Sequence, residues 1–362
     1  MSILWKDDPA YLLNSANLHK ISPDIFNFDS PFILEAGSNS IKIKAYTKFV
    51  INNNGVFKVY NIGAADITLT SADLDSGAFT LGTNYYVYIC DVGTDQEVYK
   101  ISANSTYPAD YNANNSRKIG GFHYGRKRNS ITVTDVTSSV IVPNSVWDLR
   151  HRPRCSPEGM VYLNNGVWVD IYLSSINEAI AFAAGSGSPL LTGTGKSSYN
   201  SIPLTGTEGL NGYNFIELAR RSGKRLLTMQ EWLQAAHHSP QGNNTNNVDA
   251  WSATTNNVRQ TTGYVANAIS LLNIVDCVGN ISEWLDEFVI RQDGTLGWNN
   301  YNVMVGMGVG LPYMYSDVGF VQIIAGGPWS GGATAGSRYV SLYTNAWQVY
   351  SDCGTRFACD SL

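Results

Sequence analysis

Side chains able to carry covalent or acid–base chemistry are sparse in this 362-residue chain and poorly spaced for it. The cysteines are Cys90, Cys155, Cys277, Cys353 and Cys359, with no C-x-x-C pair among them. An odd, scattered set makes neither a disulfide framework nor a zinc site, so buried thiols are expected. Only Cys353 and Cys359 lie close enough in sequence to weigh for redox chemistry. Asp276, Glu283, Asp286 and Glu287 cluster, and such a group could hold a structural calcium; a solvated acidic face is the plainer reading. No other metal or cofactor constellation stands out. Two basic clusters, Arg126-Lys127-Arg128 and Arg150-His151-Arg152-Pro153-Arg154, carry no interleaved aromatics and read as a solvated turn and an interdomain contact. With a net charge of −5, the chain as a whole is not a nucleic-acid binder.

These residues must be positioned by a polar, weakly charged chain. Charged residues make up 15% against a usual share of about 25%, and Gly, Tyr, Asn and Thr recur, as in β-rich extracellular or virion structures. Residues 1–35 hold Pro9, Pro23 and Pro31 and read as an N-terminal arm or oligomerisation element. Residues 36–153 read as an all-β, sandwich-like domain. Ile41–Ala45 alternates; Phe49–Ile51 and Val56–Tyr60 flank the Asn52–Gly55 turn; Tyr85–Cys90, Glu97–Ile101, Gly120–Tyr124 and Ile131–Thr134 supply further strands. Residues 154–362 read as a mixed α+β domain. A hairpin turns at Asn164-Asn165-Gly166, helices are expected over Ile176–Ala184, Tyr213–Ser222 and Met229–His237, and Thr228 with Glu231 makes a capping box. Residues 241–262 and 294–310 read as long loops. Met1–Pro9 lacks a basic region followed by an apolar core, so no secretory leader is expected, and no run reaches the ~20 apolar residues of a membrane span.

Three motifs in the last 150 residues carry a resemblance. Gly223-Lys-Arg-Leu-Leu-Thr-Met-Gln-Glu-Trp232, Gly279-Asn-Ile-Ser-Glu-Trp284 and Ala325-Gly-Gly-Pro-Trp329, followed by Gly336-Ser-Arg338 and Gly354-Thr-Arg-Phe357, are similar in type and order to the formylglycine-generating-enzyme type of C-type lectin fold. That fold hosts enzymes and binders, so function must come from the site. The oxidase branch places its cysteine pair upstream of the final Gly-x-Arg; here Cys353 and Cys359 straddle that motif. The iron branch needs histidine ligands, and no histidine follows His238. The chain more closely resembles the receptor-binding variable proteins of diversity-generating retroelements. Tyr85–Asp91, Arg117–Tyr124, Ser145–Leu149 and Pro157–Leu173 extend that likeness from about residue 80 to the end.

The resemblance implies a non-enzymatic adhesin at a phage tail-fibre tip, a homotrimer joined to tail-fibre proteins that binds a protein or glycan receptor on a host cell, with no membrane insertion. A cell-surface protein of the same class is the alternative, and an oxidase the more remote one. In this family adenine mutagenesis rewrites the last stretch of the gene, here about residues 325–362, over a constant framework. Scaffold positions would be Arg225, Trp232, Trp284, Trp329, Arg338 and Arg356. The Trp residues would brace the domain, and the Arg residues would bond carbonyls or Glu231 and Glu283. Variable positions would be Pro328, Ser330, Gly332, Thr334, Ser341, Tyr343, Thr344, Gln348, Tyr350, Asp352, Cys353 and Ala358, with Trp347 added to the receptor site for its aromatic surface. Steps of two through 328–334 and 348–352 would present these on one face, with Trp329, Val349 and Ser351 turned inward. Asp352 would attract a cationic partner, and Cys353 would be a free thiol.

Overall fold

A computed structural model of the chain describes residues 31–53, 55–93, 96–177, 193–291, 297–300, 313–316 and 319–362. Most of residues 1–35, Ile176–Ala184 beyond the strand Ser174–Asn177, and residues 301–310 fall outside that set, and so do the arm and the first helix expected there. The chain divides into two compact units. One comprises residues up to Phe79, Asn84–Phe122 and Val146–His151; the other comprises Thr80–Thr83, His123–Ser145 and Arg152–Leu362. The sequence reading kept 36–153 together, whereas contacts assign His123–Ser145 to the C-terminal unit.

The N-terminal unit is made of strands. Ile33–Gly37, Ser40–Ile43 and Ile67–Leu69 form one antiparallel sheet. Lys48–Asn53 and Val56–Asn61 form the expected hairpin, where Gly55 takes φ +88° and donates its N–H to Asn52 Oδ1 at 2.8 Å. Thr83–Gly93 pairs with Gln96–Ser102. Asp148 is buried and accepts four backbone N–H groups, from Phe32, Ile33, Arg150 and His151. The second basic cluster thus begins as a turn folded around a carboxylate.

In the C-terminal unit, Met160–Tyr162, Val167–Asp170, Phe357–Asp360 and Arg225–Leu226 form one four-stranded sheet. Val340–Ser341, Gly319–Ala325, Ser282–Arg291 and Cys353–Gly354 form a second, in which the last two strands run parallel. The strand expected at Ile131–Thr134 lies instead at Val136–Ile141, antiparallel to Tyr124–Arg128. Residues 131–134 make the turn before it, because Asp135 N–H bonds Thr132 O. Arg128 is not solvated as its cluster suggested; its guanidinium donates to the carbonyls of Ser130, Ile131 and Ile269.

Among the described residues two α-helices stand between strands of the first sheet in chain order. The helix α1 (Gly212–Arg221) buries Phe215, Leu218 and Ala219 at helical spacing and ends at Gly223, φ +70°. The helix α2 (Met229–Ala235) starts on the expected capping box, Thr228 Oγ1 accepting from Glu231 N–H and Glu231 Oε2 accepting from Thr228 N–H. Trp168, Trp232 and Trp284 are fully buried and fill the volume that regular elements leave open.

Candidate functional site

The framework around the carboxyl-terminal stretch is polar at its centre. Glu283, on the strand Ser282–Arg291, receives Arg356 Nε at 2.7 Å and Nη2 at 3.0 Å, and both side chains are buried. Arg356 Nη1 donates to Ile171 O at 2.9 Å. Arg225 makes a two-pronged pair with Glu231 at 2.7 Å on each arm and adds Asp360 at 2.8 Å. Forked guanidinium–carboxylate pairs fix angle as well as distance, which suits a framework short of regular structure. Trp329 differs from the other framework tryptophans, being only half-buried.

Three of the four acidic residues weighed as a calcium site have separate partners, and Asp286 is exposed. Glu283 is taken by Arg356, Asp276 Oδ2 by Gly263 N–H at 2.7 Å, and Glu287 Oε1 by Met229 N–H at 2.7 Å. Among the described residues no cluster of His, Cys, Asp or Glu forms a metal site.

Burial raises the pKa of Asp276 to about 6, against the opposing pull of Gly263 N–H and Arg356. Its folded pKa lies above the unfolded value, so the folded state binds the extra proton. The contribution of this group to stability is therefore present below about pH 4 and lost as pH rises through about 6. Asp276→Asn keeps the acceptor for Gly263 and removes the titration. Urea unfolding should show the wild type losing stability relative to this variant between pH 4 and 7. A constant difference across that range would refute the assignment.

The tail sorts into exposed and buried positions. Ser330, Tyr343, Trp347 and Gln348 are exposed, Tyr343 by 45% and Trp347 by 56%. Pro328, Thr334, Tyr350 and Asp352 are half-buried. Gly332, Ser341, Thr344, Cys353 and Ala358 are buried, and five of the expected variable positions thus lack a solvent face. The reasons are local. Ser341 and Cys353 lie on strands of the second sheet, and Ala358 is opposite Val169 and Arg225 in the first. Thr344 Oγ1 bonds Gln322 O, and Gly332 sits where a Cβ would strike Asn244 and Thr254. Cys353 is a free thiol but a buried one; burial holds its pKa well up, and its Sγ faces Asp352 Oδ1 at 3.6 Å. Burial also raises the pKa of Asp352, which weakens it as an anionic handle.

The alternation expected for 348–352 is not there, since Val349 and Ser351 are exposed like Gln348. Residues 345–352 are a looped segment, in which Gln348 N–H bonds Asn345 O and Cys353 N–H bonds Tyr350 O, so a two-residue period has no strand to act on.

What holds this segment is its main chain. Gly206 N–H donates to Tyr350 O, Gly212 N–H to Ala346 O, Ser282 N–H to Asp352 O and Gln322 N–H to Thr344 O, all at 2.8–3.0 Å. Gly206 has no alternative, because a Cβ there would lie 2.5 Å from Tyr350 N and O. The 328–335 loop is held likewise. Ser252 Oγ donates to Pro328 O, Asn256 Nδ2 to Trp329 O and Gly242 N–H to Ala335 O, while Asn244 Oδ1 accepts from Ala333 N–H. One short segment reaches the surroundings of both loops. Asn256 touches the first, and Arg259, three residues on and so within about 11 Å, bonds Thr205 and Glu208 beside the second. Exposed Val258 lies between them, and exposed Tyr213 sits beside Gly212. Sequence reading missed these two residues, Val349 and Ser351, because nothing in their local pattern marks exposure.

This arrangement defines a class: a lectin-like framework carrying a solvent-facing surface anchored through its backbone. Residues 32–148 match the family model of the Mtd second domain. The chain is 28% identical over 340 residues to the tail fiber receptor-binding protein of Bordetella phage BPP-1, covering 90% of this chain and 81% of that one. Solved structures of major tropism determinant variants share the fold. The P3c variant aligns with TM-score 0.65 at 25% identity, over 92% of this chain and 84% of its own, and the U1 variant with TM-score 0.67 at 24%, over 95% and 88%. The likeness to variable proteins of the tropism-determinant kind therefore holds over nearly the whole chain, well upstream of residue 80.

Proposed function

We propose that this chain is a receptor-binding tropism determinant of a phage tail fibre, diversified by a retroelement and binding a protein or glycan on a host cell. Its relatives bear receptor-binding and tropism names. The observation that carries the reading is the anchoring of residues 328–335 and 344–352 through main-chain atoms. Exposed side chains there, unlike those at Gly332 and Thr344, can be exchanged without loss of the bonds that hold the loop. The contact set is Ser330, Tyr343, Trp347, Gln348, Val349, Tyr350 and Ser351. Its rings offer large area at low entropy cost, and its small polar groups adapt their hydrogen bonds.

In this reading the N-terminal, sandwich-like unit and the arm before it mount the protein on the fibre as a trimer, and repetition of weak sites strengthens attachment by about 10²–10⁴. The deciding experiment is to sequence the DNA beside the gene. A reverse-transcriptase gene and a near-copy of the codons for about residues 325–362, differing only at adenines, are expected. Neighbouring tail genes would favour a virion protein over one on a cell surface. A complete flanking sequence with no template copy would remove the diversification reading.

A further inference from the structure

The last strand and the segment entering the C-terminal unit bring two distant cysteines face to face. Leu362 N–H donates to Arg152 O at 2.9 Å and Arg154 N–H to Asp360 O at 3.0 Å, and Pro153 and Ser361 form an antiparallel bridge between these bonds. One step of two along this register sets Cys155 opposite Cys359, in the same non-hydrogen-bonded kind of position as Pro153 and Ser361. Opposed Cα atoms at such positions stand about 4.5 Å apart, inside the roughly 4.4–6.8 Å that a disulfide spans.

The side chains converge independently of the ladder. Cys359 Sγ lies 3.7 Å from Gly223 O, and a Cβ on Gly223 would come within 3.5 Å of Cys155 Cβ. The Cys155 thiol is the largest influence on Cys359 and, with the backbone N–H groups of Cys155 and Arg154 and the Lys224 ammonium, draws the Cys359 thiol down to about 6, while Cys359 and burial push the Cys155 thiol up. Cys155 is only half-buried, so an oxidant can reach the pair from solvent.

We propose that Cys155 and Cys359 form a disulfide when the protein meets an oxidising medium, clamping its carboxyl-terminal strand to the entry of the same unit. With oxidised glutathione as the oxidant, one thiolate opens the glutathione disulfide, giving a mixed disulfide and one reduced glutathione. The facing thiol then loses its proton and displaces the second glutathione as its thiol. Two S–H bonds break and one protein S–S bond forms, and the two protons and two electrons leave on the two glutathione thiols. The closed loop contains the receptor-facing stretch and nearly all of the unit, the situation in which cross-linking restricts the unfolded chain most. The inference does not depend on what the tail binds.

The test uses the full chain equilibrated with oxidised or with reduced glutathione. After oxidation and unfolding, three of the five thiols should titrate, and a peptide map should join the segments holding Cys155 and Cys359. The melting temperature should rise by about 5–10 °C over the reduced protein. Cys155→Ala and Cys359→Ala should each abolish the cross-link and the rise, while Cys353→Ala keeps both. Five titratable thiols after oxidation, a glutathione adduct that never resolves, or a bridge through another cysteine would overturn the proposal.

Discussion

Replacing Arg356 with methionine is expected to destabilise the C-terminal unit by roughly 3–5 kcal/mol, about what removal of one partner of a buried ion pair costs. The loss is large because of what remains. Glu283 would keep a buried carboxylate with neither Nε nor Nη2 beside it, and Ile171 O would keep only Val275 N–H as donor. Lysine should rescue little, since a single ammonium cannot make the fork to Glu283 and also reach Ile171. Converting both partners, Arg356→Met with Glu283→Met, should regain a good part of the stability by removing the stranded charge. Urea unfolding measures each variant, with the slope of the transition checking that the unit still unfolds as one. A single variant within 1 kcal/mol of wild type would mean that water reaches Glu283 and that the pair is not the centre of the framework.

That framework was legible in the sequence, and for physical reasons. A capping box such as Thr228–Glu231 depends only on neighbours along the chain, as does the Asn52–Gly55 hairpin turn, so local residue types suffice to find them. That Arg225 and Arg356 would bond carbonyls or Glu231 and Glu283 followed from residue type, but which carboxylate each takes is set by the fold. The sorting of the tail could not be read. Exposure of Val349 and burial of Thr344 depend on where Gly206, Gly212 and Gln322 hold the main chain, which no two-residue period encodes. Cys155 and Cys359 escaped for the same reason, since only the closing of the first sheet by the last strand sets them opposite. The segment Ile131–Thr134 misled because its alternation satisfies a strand pattern while Asp135 N–H closes a turn onto Thr132.

Trp347→Ala carries the second large effect, on attachment and not on folding. The ring is 56% exposed, and the bond that ties this residue to Asn211 comes from its carbonyl, which alanine keeps. Unfolding free energy should therefore stay within about 0.5 kcal/mol of wild type. Large rings at the centre of an interface commonly contribute about 2 kcal/mol or more to binding. Monomeric affinity for a bacterial strain that the wild-type protein decorates should fall by roughly 30-fold, and avidity in an oligomer would enlarge the fall. Tyr343→Ala should behave in the same sense. Ala358→Tyr is the converse, because that residue is fully buried between Val169 and Arg225 and a ring there overpacks the sheet. It should lower stability, and its binding should recover at temperatures where it remains folded. Labelled proteins counted on cells by flow cytometry, beside urea unfolding of the same samples, separate the two effects. If Trp347→Ala and Tyr343→Ala both bound as tightly as wild type, the surface built on Ala346 and Tyr350 would not be the one that meets the host.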